Sequence, residues 1–222
     1  MKDKFKIGID YGGTKIEAIL MNDKGDEIKR ERLEYDRNYE SGISTVKKFV
    51  EDFKKESSNE ATVGIAIPGY SSKETGLVHN ANSDWLNNKH FKKDLEKNLN
   101  CEVKIMNDAN CFTLSEAIDG AGKDFKSVFG IIIGTGFGSG LSYKKEVIEG
   151  ANQVAGDWGH QPLPYPTEEE INSKIKCTLP TCGRPLCAEQ FVSGAGFAKN
   201  FNLKHNTNYK APEIVALDKK GD

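Results

Sequence analysis

The chain has 222 residues, 37% of them hydrophobic and 29% charged, which fits a globular protein with a modest core. Its formal net charge of −2 argues against a dedicated nucleic-acid or membrane surface, because either would need an excess of basic residues. The N-terminal segment lacks the apolar core of a signal peptide, and the longest apolar runs are too short to cross a bilayer. We therefore expect a cytoplasmic protein, whose clustered cysteines are reduced and available as metal ligands.

The first half of the chain alternates strand and helix patterns. Strands are predicted for the segments "KFKIGID", "KIEAILMN", "EIKRERLEY", "TVGIAIPG" and "EVKIM". Helices are predicted for "HFKKDLEKNL", for the segment that opens at "NDAN", and for a segment capped by Ser44, in which Val46, Phe49, Val50 and Phe53 follow helical spacing. This order of elements predicts a mixed α/β layer.

The second half begins with a partial repeat of the first. The segment "VFGIIIGTGFGSGLSY" predicts a strand, a glycine turn and a strand, and it echoes "FKIGIDYGGTKIEAIL". No strong strand is predicted after Val147, where only a helix near "AEQFVSGAGFAKNF" and the final segment "APEIVALDKKGD" follow. We expect two domains, residues 1–110 and 111–222, of which the second is incomplete.

The motif "DYGGTK" forms the first glycine turn. Gly12 and Gly13 lack a Cβ, so the backbone can approach a ligand and direct N–H groups at phosphate oxygens. Thr14 and Lys15 add a hydroxyl and a cation, and Asp10 at the strand end is suited to orient a magnesium-bound water. The alternative is an ordinary hairpin turn, because such glycine pairs are common.

The motif "GTGFGSG" forms the second glycine turn, with Gly134, Thr135 and Gly136 at its start. It does not match the Walker pattern, and it is not a dinucleotide fingerprint, because a strand rather than a helix follows it. A flexible hairpin is the alternative interpretation. Two similar hairpins facing across a cleft would grip one polyphosphate from both sides.

The motif "NDAN" follows a strand and opens a helix. Asn107 or Asp108 is on sequence grounds most often explained as a helix N-cap. In the functional interpretation, Asp108 is a base that accepts the proton of a substrate hydroxyl. A helix N-terminus lowers the basicity of a carboxylate, but phosphoryl transfer tolerates this because its transition state is loose.

A cysteine-rich segment indicates a metal site. Cys177, Cys182 and Cys187 have the spacing C-x4-C-x4-C, and residues five apart do not share a helix face, so loops must present the ligands. With His160, three thiolates would complete a closed, structural tetrahedral zinc site. The alternative is three unrelated reduced cysteines.

Two carboxylates flank these ligands. Asp157 precedes His160 and Glu189 follows Cys187, so zinc would fix the loops that carry both acids. Carboxylates held in this way suit bidentate hydrogen bonding to sugar hydroxyls. They could equally be solvated surface charges.

The motifs together resemble the ROK family of sugar kinases (repressor, open reading frame, kinase), over the whole chain. The resemblance rests on "DYGGTK", "GIAIPG", "NDAN", "GTGFGSG", "GDWGH" and "CGRPLCAEQFVSG", in the family's order. It implies the α/β actin-like ATPase (RNase H-like) fold, with two domains and a cleft. The segments "NDANCFTLSEA" and "APEIVALDKKGD" are most similar to bacterial N-acetylglucosamine kinases.

The resemblance implies ATP-dependent phosphorylation of a hexose 6-hydroxyl, with Mg²⁺ and a structural Zn²⁺. It makes Asp108 the catalytic base. Sugar contacts are implied for Asn107, Asp157, His160, Glu189, Gly69 and Asn80. Phosphate contacts are implied for both glycine hairpins, and zinc ligation for His160, Cys177, Cys182 and Cys187. Family members commonly dimerise, and no residue pattern here decides between a monomer and a homodimer.

Three features depart from the family pattern. The family usually has glutamate where this chain has Asp157, and a C-x-C pair where Cys177 and Cys182 are farther apart. The chain also ends where family members continue. The alternatives are therefore a truncated, non-catalytic sugar-binding or regulatory form, and a kinase for glucose, N-acetylmannosamine or fructose. A DNA-binding repressor is disfavoured, because only nine residues precede Asp10.

Overall fold

The computed structural model describes residues 5–57, 61–173, 177 and 182–218. The chain divides into two compact units, Met1–Cys111 and Phe112–Asp222. Lys4, at the start of the first predicted strand, and residues 219–222, at the end of the last predicted segment, lie outside the described residues. No described helix combines the length and the apolar composition that crossing a bilayer requires.

The described residues of the first unit form seven strands, a short 3-10 helix (Asp84–Leu86) and three α-helices, of which the last crosses into the second unit. The strands are β1 (Phe5–Tyr11), β2 (Lys15–Met21), β3 (Glu27–Glu34), β4 (Ala61–Ile67), β5 (Tyr70–Ser71), β6 (Val78–His79) and β7 (Val103–Asn107). The helices are α1 (Tyr39–Glu56), α2 (Phe91–Leu99) and α3 (Asp108–Ile118). The five strands predicted for this half are thereby confirmed.

A five-stranded mixed sheet organises the first unit, with the strand order β3-β2-β1-β4-β7. Strands β1, β2 and β3 form an antiparallel meander, whereas β4 and β7 run parallel to β1. The carboxyl ends of β1, β4 and β7 therefore meet at one edge of the sheet, which is where ligands bind in open α/β sheets.

Helix α1 begins earlier than the sequence predicted. Asn38 is its N-cap, and the Asn38 side chain accepts a hydrogen bond of 2.8 Å from the backbone N–H of Ser41. The predicted cap, Ser44, is wrong because it lies inside the helix. The apolar face extends back to buried Ile43, so an upstream asparagine, among the best capping residues, starts the helix instead.

A single apolar core stabilises the first unit. The face of α1 that carries Val46, Phe49, Val50 and Phe53 is buried, as its spacing predicted. Tyr11 and Phe91 are fully buried with it, and their rings meet edge to face at a centroid distance of 5.1 Å.

After the end of α3, the second unit contains a β-hairpin. Its strands are β8 (Ser127–Ile133), β9 (Phe137–Tyr143) and β10 (Glu146–Val147), which form an antiparallel sheet in the order β10-β9-β8. Its helices are α4 (Glu168–Asn172), α5 (Glu189–Val192), α6 (Gly194–His205) and α7 (Ala211–Asp218).

The single helix predicted near residue 190 is two helices. Ser193 has extended backbone dihedral angles and ends α5. Its hydroxyl accepts a hydrogen bond of 3.0 Å from the N–H of Gly196, so the same residue caps α6. Ser193 and the nearby Gly194 and Gly196 favour this break, because serine competes for backbone groups and glycine is a poor helix former.

Candidate active site and metal centre

The first glycine hairpin joins β1 to β2. The N–H of Gly12 donates a hydrogen bond of 3.1 Å to the carbonyl of Lys15, and a Cβ on Gly12 would stand 2.8 Å from that oxygen. Glycine is therefore required at this position. The hydroxyl of Tyr35 donates a hydrogen bond of 2.9 Å to the carbonyl of Gly12 and fixes the turn from the side.

The charged residues of this hairpin have neighbours that set their properties. Desolvation raises the pKa of Asp10, and the charge of Glu17 raises it further, whereas Arg32 opposes the change. Lys15 lies 3.4 Å from Glu34 in an ion pair that is exposed on both sides. Such a pair contributes little stability, so Lys15 remains available to an anionic ligand.

The structure brings the predicted sugar contacts of the first unit together at the carboxyl edge of the sheet. The amide of Asn107 donates hydrogen bonds of 3.0 Å to the carbonyl of Gly69 and to the carboxylate of Asp108. Gly69 has φ of +72°, and a Cβ there would stand 2.2 Å from the carbonyl oxygen of His79, next to Asn80. Only glycine fits such close backbone approach.

Asn107 and Asp108 divide the roles that the sequence left open. Asn107 Oδ1 accepts a hydrogen bond of 3.1 Å from the N–H of Asn110, which makes Asn107 the residue that caps α3. Asp108 remains solvent-accessible, although its own Oδ1 accepts a hydrogen bond of 2.8 Å from Ala109. Partial desolvation raises the pKa of Asp108, and the nearby charge of Asp10 adds to this despite the opposing hydrogen bonds.

The second glycine hairpin is held by the start of α6. The carbonyls of Gly134 and Thr135 accept hydrogen bonds from the N–H groups of Gly194 and Ala195, at 2.8 Å and 3.3 Å. A Cβ on Gly194 would stand 2.8 Å from the carbonyl oxygen of Gly134. Two glycine-containing segments therefore pack backbone against backbone.

An apolar pocket lies beside this hairpin within the second unit. Its volume is about 670 Å³, which is in the range of small-molecule sites. Its lining includes Ile133, Val192, Ser193, Gly194 and Val215.

The structure also groups the acids of the second unit with His160. The carboxylate of Glu189 accepts a hydrogen bond of 3.2 Å from the N–H of Phe137, and the same Oε2 lies 3.9 Å from His160 Nε2. Desolvation raises the pKa of Asp157, with Glu189 adding to this and His160 opposing it. One end of the second hairpin thus contacts a predicted sugar-binding acid directly.

The four predicted metal ligands converge. One donor atom from each of His160, Cys177, Cys182 and Cys187 lies within 4.8 Å of the others. The sulfur of Cys187 is 3.4 Å from His160 Nδ1, the sulfur of Cys177 is 3.7 Å from it, and the sulfurs of Cys182 and Cys187 are 4.0 Å apart. Tetrahedral zinc with thiolate bonds of about 2.3 Å separates its ligands by about 3.8 Å, so this donor set fits zinc.

The surroundings of the thiols disfavour the charged thiolate in the absence of a metal. Burial raises the pKa of Cys187 to about 12, so without a metal this thiol would stay protonated at neutral pH. The thiol of Cys187 donates a hydrogen bond of 3.5 Å to the carbonyl of Gly159. The side-chain amide of buried Gln190 donates to the sulfur of Cys177 at 4.0 Å. Such second contacts orient metal ligands.

Three side chains that support these sites were not predicted. Tyr35 holds the first hairpin, Gln190 contacts Cys177, and Ser139 contacts the loop that carries Asp157. Ser139 lies inside the motif "GTGFGSG", but the sequence interpretation considered only the glycines of that motif and the phosphate that they would bind. Nothing local in the sequence indicates the partner of Tyr35, which lies 23 residues away.

The architecture of this chain is that of mixed α/β proteins with the actin-like sheet. It superposes on a ROK hexokinase from Thermus thermophilus with a TM-score of 0.79, at 22% identity, over 98% of this chain and 70% of that one. A ROK family glucokinase from Streptomyces griseus, solved with glucose and AMPPNP, gives a TM-score of 0.75 at 22% identity, over 98% of this chain and 72% of that one.

The chain belongs to the ROK family, whose sequence model matches residues 6–222. It is 36% identical over 216 residues to an N-acetyl-D-glucosamine kinase of Vibrio cholerae, which covers 97% of this chain and 72% of that protein. A relative of the same name from Aliivibrio salmonicida is 36% identical over the same shares. The His160 and cysteine cluster fits the structural zinc site of the family.

Proposed function

We propose that this chain phosphorylates the 6-hydroxyl of N-acetyl-D-glucosamine with ATP. The observation that carries the proposal is the group of Gly69, Asn80, Asn107 and Asp108 at the carboxyl edge of the parallel strands. The 36% sequence identity of the chain to the N-acetyl-D-glucosamine kinase of Vibrio cholerae supports the choice of sugar.

In this proposal Asp108 accepts the proton. The sugar 6-hydroxyl oxygen attacks the terminal phosphorus of ATP, its proton passes to the Asp108 carboxylate, and the bond from that phosphorus to the bridging oxygen breaks to release ADP. Asn107 donates a hydrogen bond of 3.0 Å to Oδ1 of Asp108, and in the proposal Oδ2 would accept the proton. A raised pKa makes Asp108 a better base than a typical helix-starting aspartate.

The glycine hairpins are proposed to bind the phosphates. The exposed hydroxyls of Thr14 and Thr135 and the Lys15 ammonium complement phosphate oxygens. The apolar pocket beside Gly194 suits a nucleoside base. Asp10 would orient water bound to Mg²⁺, which neutralises phosphate charge when it enters with ATP.

The zinc cluster is proposed to fix the sugar-binding loops. All four ligand positions would be filled by protein, so the metal has no open site for catalysis and acts structurally. His160 uses Nδ1 toward the thiols, which leaves Nε2 for Glu189 and the sugar. Asp157 and Glu189 would then bind sugar hydroxyls from loops of fixed shape.

A coupled ADP-release assay across N-acetylglucosamine, N-acetylmannosamine, glucose and fructose tests the proposal. We expect the highest kcat/KM with N-acetylglucosamine. A preference for another hexose would change the proposed substrate and leave the proposed reaction, phosphoryl transfer from ATP to a hexose, unchanged. Binding of a sugar without ADP release would instead support a non-catalytic sugar-binding role.

A further inference from the structure

Ser139 lies on β9 with its side chain buried, and only 4% of the residue is exposed. Its hydroxyl donates a hydrogen bond of 2.6 Å to the carbonyl of Gly156. The same oxygen accepts a hydrogen bond of 3.0 Å from the N–H of Trp158. These two backbone groups belong to the residues on either side of Asp157, so one buried hydroxyl holds the chain before and after that carboxylate.

The loop packs so closely against β9 that residue 156 must be glycine. Gly156 has φ of +86°, and a Cβ there would stand 2.8 Å from the N–H nitrogen of Leu141 and within 3.1 Å of Gly140. A third bond, of 3.1 Å, joins the N–H of Asp157 to the carbonyl of Val154. The backbone around Asp157 is therefore fixed at three peptide groups.

We propose that Ser139 is a positioning residue that places the Asp157 carboxylate for binding the sugar, which rests on the function proposed above. An aspartate side chain has two rotatable bonds, so its carboxylate follows the position of the backbone closely. Loss of the Ser139 hydroxyl would leave a carbonyl and an N–H without their partner and let the loop shift. Ser139 thereby acts on the sugar through Asp157 rather than by contact.

Ser142 provides a matched control on the same strand. It is fully buried, and its hydroxyl has no hydrogen-bond partner among the described residues. Ser142→Ala therefore makes the same chemical change in β9 without releasing the loop. Ser139→Cys retains a donor, though a weak one, and provides a variant of intermediate effect.

The experiment measures the calorimetric Kd for N-acetylglucosamine, the zinc content and the melting temperature of each variant. Ser139→Ala is expected to weaken sugar binding about tenfold, because the freed loop must be ordered again when the sugar binds. Ser139→Cys should fall between that variant and the wild type, and Ser142→Ala should match the wild type. All variants should retain their zinc, because none of these positions supplies a metal ligand.

A double variant separates positioning from a general structural effect. In an Asp157→Ala background, Ser139→Ala should weaken sugar binding no further, because the group that it positions is already absent. A full additional loss in that background, or an unchanged Kd in Ser139→Ala alone, would overturn the inference.

Amide hydrogen exchange keeps the inference distinguishable from the proposed function. If the wild type binds no hexose, the proposed function fails, and exchange at residues 156–158 then decides the role of Ser139. Faster exchange there in Ser139→Ala, but not in Ser142→Ala, supports the restraint on the loop. Equal exchange in both variants contradicts it.

Discussion

Asp108 is the residue at which opposing influences meet most directly. Its position at the start of α3 and its hydrogen bond from Ala109 favour the charged form, whereas desolvation and the charge of Asp10 disfavour it. Desolvation and the charge of Asp10 outweigh the other two influences, since the pKa of Asp108 is raised. A carboxylate that is costly to charge is suited to take up a proton.

The first prediction concerns the stability of Asp108→Asn. A carboxyl with a raised pKa in the folded state contributes stability that is present below its unfolded pKa, about 4, and is lost as pH rises through the folded pKa. The amide variant cannot ionise and retains the Oδ1 acceptor. We therefore expect its melting temperature to exceed that of the wild type near neutral pH, with the difference vanishing in acid. A lower melting temperature near neutral pH would contradict the raised pKa.

The sequence singled out Asn107 and Asp108 of the motif "NDAN", but it could not tell which of them is the helix N-cap. Both Asn107 and Asp108 satisfy the preferences of a helix N-cap, and only the geometry shows that Asn107 takes that role. Ser139 was missed for a different reason, because its two partners lie 17 and 19 residues away and follow no local pattern.

At the scale of elements, the cysteine loop shows what spacing can and cannot predict. The spacing excluded a shared helix face, and the structure presents Cys182 and Cys187 from turns and an isolated bridge to Pro162. Spacing alone could not show that Cys177 reaches the cluster, because that depends on how the chain returns on itself. The sulfur of Cys177 lies 3.7 Å from His160 Nδ1.

The second prediction tests the metal cluster. Cys177→Ser removes a thiolate ligand and should lower the zinc content, measured by elemental mass spectrometry, well below one ion per chain, with a lower melting temperature. Cys101→Ser is the matched control, because Cys101 lies in the first unit, packed against the core, and should leave the zinc unchanged. Full zinc occupancy in Cys177→Ser would remove this residue from the ligand set.

The ends of helices were the least predictable part of the elements. Ser44 and Asn38 are both good capping residues. Asn38 is the cap because the buried face of α1 extends back to Ile43, which lies before Ser44. The break at Ser193 depends on its hydroxyl bonding to Gly196 and on Gly194 packing against Gly134. The first is a local preference, whereas the second is a tertiary contact that no window of sequence contains.

At the scale of the whole molecule, the two units differ in how much core they have. Every residue of the main apolar cluster lies in the first unit. In the second unit, Phe129, Ile131 and Ile133 of β8 are 45–65% exposed. The repeated pattern of strand, glycine turn and strand predicted these strands, but it could not reveal that these side chains stay exposed within the described chain. The chain spans 72% of its Vibrio cholerae relative.

The third prediction tests the core of the first unit. Phe53 is fully buried, so Phe53→Ala should lower the free energy of unfolding by about 3–5 kcal/mol, measured by urea titration with circular dichroism. Phe125→Ala is the matched control, because 67% of Phe125 is exposed, and it should change stability little. Zinc content should be the same in both. Equal destabilisation by the two changes would contradict the assignment of the core.

The measurement that tests the central claim most directly is the formation of N-acetylglucosamine 6-phosphate from ATP, followed by mass spectrometry in the wild type and in Asp108→Asn. The account predicts product from the wild type and a rate lower by about 10²–10⁴ in the variant, which should still bind the sugar. Product formed at the wild-type rate by Asp108→Asn would contradict the role of Asp108. No phosphorylation of any hexose by the zinc-loaded wild type would contradict the proposed activity itself.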